Sequence, residues 1–148
     1  MKNEEKAGMP EKLIEALHLV PLETEGGLVA QTYVSTFRIG EACAGTTIYY
    51  LLRGNSFSHL HRLTGDEIYH FYLGDPVELT ELLPDGTRKK TILGQDILHG
   101  QEVQHLVPAG NWQGSCLCGM RGAAAIRDRV NHMDKPEEVL ALLRTLGE

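Results

Sequence analysis

The rhythm of apolar and polar positions changes twice along the chain. Near the start, Leu13, Ile14 and Leu17 recur at helical spacing behind Pro10, a residue suited to a first helical turn. This predicts a short helix, stopped by Pro21, with a turn at Glu25-Gly26-Gly27. From Leu28 to about Gln113 the pattern is one of short runs rich in β-branched and aromatic residues between turn signals. Strands are predicted at 31–37, 46–52, 67–73, 77–83, 87–93, 104–107 and 115–119, with Pro84-Asp85-Gly86 as a hairpin turn. No run of helix length interrupts them, so parallel βαβ units are not expected. The tail returns to helical spacing. Asp134 and Glu137 form a capping-box pattern, and Val139, Leu140, Leu143 and Leu146 share a face. A helix at about 135–146 is predicted to cover an end or edge of the β-structure. The expected architecture is all-β, a sandwich or barrel with one short helix at each end. It forms a single domain over residues 1–148 with a core at about 25–120.

Composition alters this picture little. A hydrophobic share of 42% is ordinary for a globular domain, and 148 residues suffice for one core. The formal net charge of −6 argues against nucleic acid or an anionic membrane as partner, since both are negative themselves. No apolar run reaches the ~20 residues that a bilayer crossing needs. The opening MKNEEKAGMPEKL lacks the apolar stretch of a signal peptide, so a cytoplasmic location is expected. Cys43, Cys116 and Cys118 are too few and unsuitably spaced for a disulfide framework or a zinc finger, and are expected to be small buried residues.

Candidate chemistry concentrates in two segments. In Gly54 to Gly74, His59 and His61 are two apart, which in a strand places both on one face. Thr64-Gly65 then allows the chain to reverse and return Glu67 to the imidazoles. In Val107 to Gly114, Pro108-Ala109-Gly110 opens a new strand that carries Gln113. Two imidazoles, a carboxylate and an amide oxygen are donors that a divalent transition metal accepts, although the amide is a poorer ligand than a third imidazole. The metal-free alternative is a polar pocket with His61 as general base and Arg62 or Gln113 as substrate contacts. Strand parity puts Tyr69 on the face of Glu67, and turns His70 away. Tyr33, Ser35 and Tyr49 are candidate pocket-wall residues.

The two segments resemble the paired motifs of the cupin superfamily. Gly54, His59, His61, Glu67 and Gly74 follow the first motif, with two gaps one residue off; Pro108 and Gly110 follow the second, with Gln113 where the motif has a third histidine. The chain is more closely similar to the single-domain Cupin 5 subgroup of unknown function, which resembles sugar-nucleotide epimerases in fold. The carrying residues are Glu25-Gly26-Gly27, Thr32-Tyr33-x-Ser35, Thr47 to Leu52, His61-Arg62, Asp66 to Tyr72, and Pro108-Ala109-Gly110-x-Trp112-Gln113. After Gly119 the chain departs from the subgroup, which continues with a Pro-Gly-Phe segment. The resemblance implies a jelly-roll β-barrel, a homodimer, and a pocket in which His59, His61, Glu67 and Gln113 could hold one divalent ion (iron, nickel, manganese or zinc).

Three function classes follow. The first is a small-molecule enzyme: an isomerase or epimerase with His61 as base and Tyr69 as proton donor, or a metal-dependent oxygenase, hydrolase or lyase, with Glu67 in the catalytic set. The second is a ligand-binding module without turnover, and the third an assembly protein.

Overall fold

The computed structural model of the protein describes residues 8–54 and 56–118. The chain divides into two compact units, Met1–Ser56 and Phe57–Glu148, each treated by itself.

The first unit opens with helix α1, Met9–Ala16, with Pro10 in its first turn as the sequence predicts. Strand β1 (Val20–Pro21) pairs with β2 (Leu28–Val34), which pairs with β5 (Thr46–Leu51), all antiparallel. A small hairpin, β3 (Arg38–Ile39) with β4 (Ala42–Cys43), has no counterpart in the predicted elements. Strand β2 starts three residues before the predicted 31–37, because Gly26 and Gly27 already end the turn in the left-handed region (φ +85° and +73°). Glycine is required at position 27 for a second reason. A Cβ there would lie 2.5 Å from the Tyr50 hydroxyl, which donates to the Gly26 carbonyl at 2.7 Å.

The second unit contains two antiparallel sheets. One has the order β6 (Phe57–Arg62), β11 (Trp112–Leu117), β8 (Val77–Leu82), β9 (Arg88–Leu93). The other pairs β7 (Glu67–His70) with β10 (Gln104–Val107). Pro84-Asp85-Gly86 makes the β8–β9 turn, where Asp85 Oδ1 accepts from the Thr87 N–H at 2.8 Å. That bond holds the Asp85 carboxyl below its usual range. Leu79, Leu93 and Val107 form a buried cluster with Tyr69, Phe71 and Val77 packed on it, so the inner faces of both sheets meet in one apolar core. The protein is all-β, of the jelly-roll sandwich class.

Strand β7 ends at His70, short of the predicted 73, and β11 begins at Trp112, ahead of the predicted 115. A 3-10 turn at Ile97–His99 went unpredicted. The three cysteines are free thiols. Cys116 is buried and Cys43 half-buried, but Cys118 is exposed, one residue past the end of β11. The predicted helix at 135–146 lies outside the described residues. No helix among the described residues is long and apolar enough to cross a membrane.

Candidate functional site

The two motif segments are joined at their turns. Asp66 Oδ1 accepts from the Ala109 N–H at 2.8 Å, and the Leu63 carbonyl accepts from the Gly110 N–H at 3.0 Å. Gly110, at φ +87°, makes the turn that permits both bonds. Glu67 and Gln113 thus leave adjacent turns on strands of different sheets, β7 and β11.

Their side chains meet. Gln113 Nε2 donates to Glu67 Oε2 at 2.6 Å, and the Tyr69 hydroxyl donates to Gln113 Oε1 at 2.7 Å. Gln113 is only 1% exposed, whereas Glu67 and Tyr69 are half-buried. The buried amide is therefore satisfied at both ends by side chains of the facing sheet. A carboxylate only accepts, which turns the amide nitrogen toward Glu67 and leaves its oxygen for the tyrosine proton.

His61 stands opposite Gln113 in the β6–β11 register. Cross-strand partners share a face, so His61 belongs with Gln113. His61 Nδ1 lies 2.7 Å from the His59 carbonyl. A carbonyl only accepts, so Nδ1 carries the hydrogen, and in the neutral ring Nε2 holds the lone pair.

The β6–β11 register is irregular near His59. Gln113 pairs with His61 and Ser115 with Ser58, so β6 has one residue more than β11 between these pairs. The β-bulge lies between these pairs, while burial still alternates along β6, with Ser58 and Leu60 buried and Phe57, His59 and His61 half-buried. The His59 ring packs against Phe57, centroids 5.0 Å apart. Arg62 leaves the Gln113 face. It pairs with Trp112, and its guanidinium carbon lies 5.1 Å from the Trp112 ring centre. Tyr33, Ser35 and Tyr49 belong to the first unit. Tyr33 stands opposite Thr47, Tyr49 opposite Ala30, and Ser35 Oγ accepts from the Phe37 N–H at 3.1 Å. His70 is exposed and stacks with Tyr72, which fits its turning away from Glu67.

The sequence reading gave no role to a second buried polar group. Glu81 (2% exposed) is the β8 partner of Gln113, and His105 (6% exposed) is the β10 partner of Tyr69. His105 Nε2 lies 2.8 Å from Glu81 Oε2, and its Nδ1 lies 2.6 Å from Glu102 Oε2. Asn111 Nδ2 donates to Glu81 Oε1 at 3.1 Å, and the Lys89 ammonium is 4.0 Å from Glu81 Oε2. Parity would have found this group. Glu81 alternates with Val77 and Leu79, and His105 with Val107, so both occupy core-facing positions that demand a partner.

Antiparallel sheets throughout, with a line of bonded polar side chains between the two sheets of the second unit, define the class: an all-β protein of the jelly-roll type. The chain belongs to the Cupin superfamily (DUF985), whose family profile matches residues 11–126. It is similar to the crystal structure of a protein from Shewanella oneidensis at 33% identity and TM-score 0.69, covering 73% of this chain and 68% of that one. It is also similar to a hypothetical protein from Leishmania major at 33% identity and TM-score 0.67, covering 71% of this chain and 68% of that one. No functionally curated protein matches the chain. Family membership makes it a small-ligand-binding cupin.

Proteins of this superfamily often bind a metal, but the donor set here does not fit one as it is arranged. Among the described residues, no group of three or more His, Cys, Asp and Glu is arranged to hold a metal ion. The Gln113 amide directs its nitrogen at Glu67, and its oxygen accepts from Tyr69.

Proposed function

We propose that the protein is a small-molecule enzyme whose pocket performs acid–base chemistry of the isomerase or epimerase type. The observation that supports this best is the bonded line Tyr69–Gln113–Glu67, with His61 across the strand from Gln113. His61 Nε2 is the base. It takes a proton from carbon next to a substrate carbonyl, and the electron pair of that bond moves onto the carbonyl oxygen. The pair then returns to the carbon to form a new C–H bond with a proton from Tyr69, whose hydroxyl Gln113, fixed by Glu67, holds in place. The tyrosinate and the His61 imidazolium reset by proton exchange with water. This reading requires no metal, and the committed Gln113 amide supports that version over a metal-dependent one.

The test is deuterium wash-in. The protein is incubated in D2O with a panel of small keto and hydroxy-carbonyl compounds, free sugars and nucleotide-linked sugars, and followed by NMR. Wash-in at carbon next to the carbonyl, lost in His61→Ala and Tyr69→Phe, is the expected result. Saturable binding without wash-in would favour the second reading, a binding module without turnover. Metal analysis of protein purified without added metal or chelator should find far less than one transition ion per chain. A stoichiometric ion removed by His61→Ala would overturn the metal-free version.

A homodimer in the cytoplasm completes the proposal. The family resemblance and the position of β9 at the end of its sheet support the dimer. A monomeric mass in solution would count against it.

A further inference from the structure

We infer that Glu81, held by His105 and Asn111, is a positioning residue that fixes the Gln113 amide between Tyr69 and Glu67. The inference rests on the proposed role of that bonded line. In the β7–β10 sheet Tyr69 and His105 are register partners; in the facing sheet Gln113 and Glu81 are. The Tyr69–Gln113 and His105–Glu81 bonds are therefore neighbouring links between the same two sheets. Asn111, two residues before Gln113, ties Glu81 Oε1 to the start of β11. Glu81 thus fixes β11 against β10 one strand away from the amide. Glu102, half-exposed on the other ring nitrogen, sets the rotation of the His105 ring.

Stability alone does not account for this group. A buried ionic or hydrogen-bonded pair is often replaced by apolar residues at no loss, and Leu79, Leu93 and Val107 already furnish an apolar setting. Hydrogen bonds have direction and apolar contacts do not. A pair at the Glu81–His105 position fixes the spacing and rotation of the two sheets where the Gln113 amide must bridge them.

The experiment uses the full chain, labelled with 15N and 13C, and reads the Gln113 side-chain NH2 resonances and their hydrogen exchange. Substrate is not needed, so a failure of the proposed reaction leaves the outcome interpretable. Single variants Glu81→Leu and His105→Leu should lose stability, since each strands a buried partner. The double variant Glu81→Leu/His105→Leu should regain melting temperature but not the Gln113 signature, with exchange about tenfold faster than in the wild type. Leu93→Ala, which loosens the core without touching the network, should leave that signature in place. A double variant that keeps the wild-type Gln113 signature would overturn the inference. So would a Leu93→Ala variant that loses it to the same degree. If the double variant does not fold, Asn111→Ala decides, because it cuts only the tether from Glu81 to β11. A shifted Gln113 resonance with faster exchange is expected; an unchanged one refutes the positioning role.

Discussion

Gln113 and Glu67 are 46 positions apart in the chain, and the amide of one donates to the carboxylate of the other at 2.6 Å. Replacing Gln113 with Leu removes this bond together with the one from Tyr69. Both partners are half-buried and can partly rehydrate, so the cost should be about 2 kcal/mol, or roughly 4–8 °C in melting temperature. Calorimetry on the wild type and Gln113→Leu checks this. A variant of unchanged melting temperature would show that the line adds nothing to stability.

Trp112 is the only tryptophan in the chain, so tryptophan emission reads the surroundings of the one ring over which Arg62 lies. Arg62→Ala uncovers the ring and should shift emission to the red, with a loss of about 0.5–1 kcal/mol. If Arg62 acts only in packing, Arg62→Ala should leave any deuterium wash-in within a few-fold of wild type. A complete loss would restore it to the reacting site.

Gly27→Ala should destabilise the first unit by about 2–3 kcal/mol, combining left-handed backbone strain with the approach of Tyr50. Gly40→Ala is the control. Its φ of +64° carries the backbone strain, but a Cβ there meets nothing within 4 Å. The difference between the two melting temperatures isolates the contact with Tyr50, and equal losses would dismiss it.

Partial desolvation of the otherwise exposed side chain, and then the charges of Glu78 and Cys116, raise the Cys118 thiol above its ordinary range. A raised thiol is less ionised at a given pH, so alkylation of Cys118 should set in at higher pH than that of a free cysteine. Glu78→Gln removes one cause and should move the onset downward. Iodoacetamide labelling across pH, read by peptide mass spectrometry, provides the measurement. An onset indifferent to Glu78→Gln would remove the carboxylate from the account.

Much of this protein is legible in its sequence where local chemistry decides. Pro10 sets α1, Pro84-Asp85-Gly86 sets the β8–β9 turn, and the 104–107 run is β10 to the residue. The Pro108-Ala109-Gly110 turn brings Gln113 to Glu67, and parity alone puts Tyr69 beside them. Long-range register is not legible. The extra residue in β6 appears only once Ser58 and Ser115 are paired. Glu81 and His105 passed unnoticed for a related reason. Parity marks each as core-facing in its own strand, but the partner that satisfies it lies 24 positions away and only register shows it.

The line from Tyr69 through Gln113 to Glu67 has a polarity, since each member gives a hydrogen to the next. An amide looks nearly the same after half a rotation, but it then exchanges its giving and receiving ends. Were Glu67 to gain a proton, it could give instead of receive, and the amide could turn over and offer its nitrogen to the tyrosine oxygen. The three side chains can thus report the loading of the carboxylate at the phenol by inverting direction, with no strand having to move.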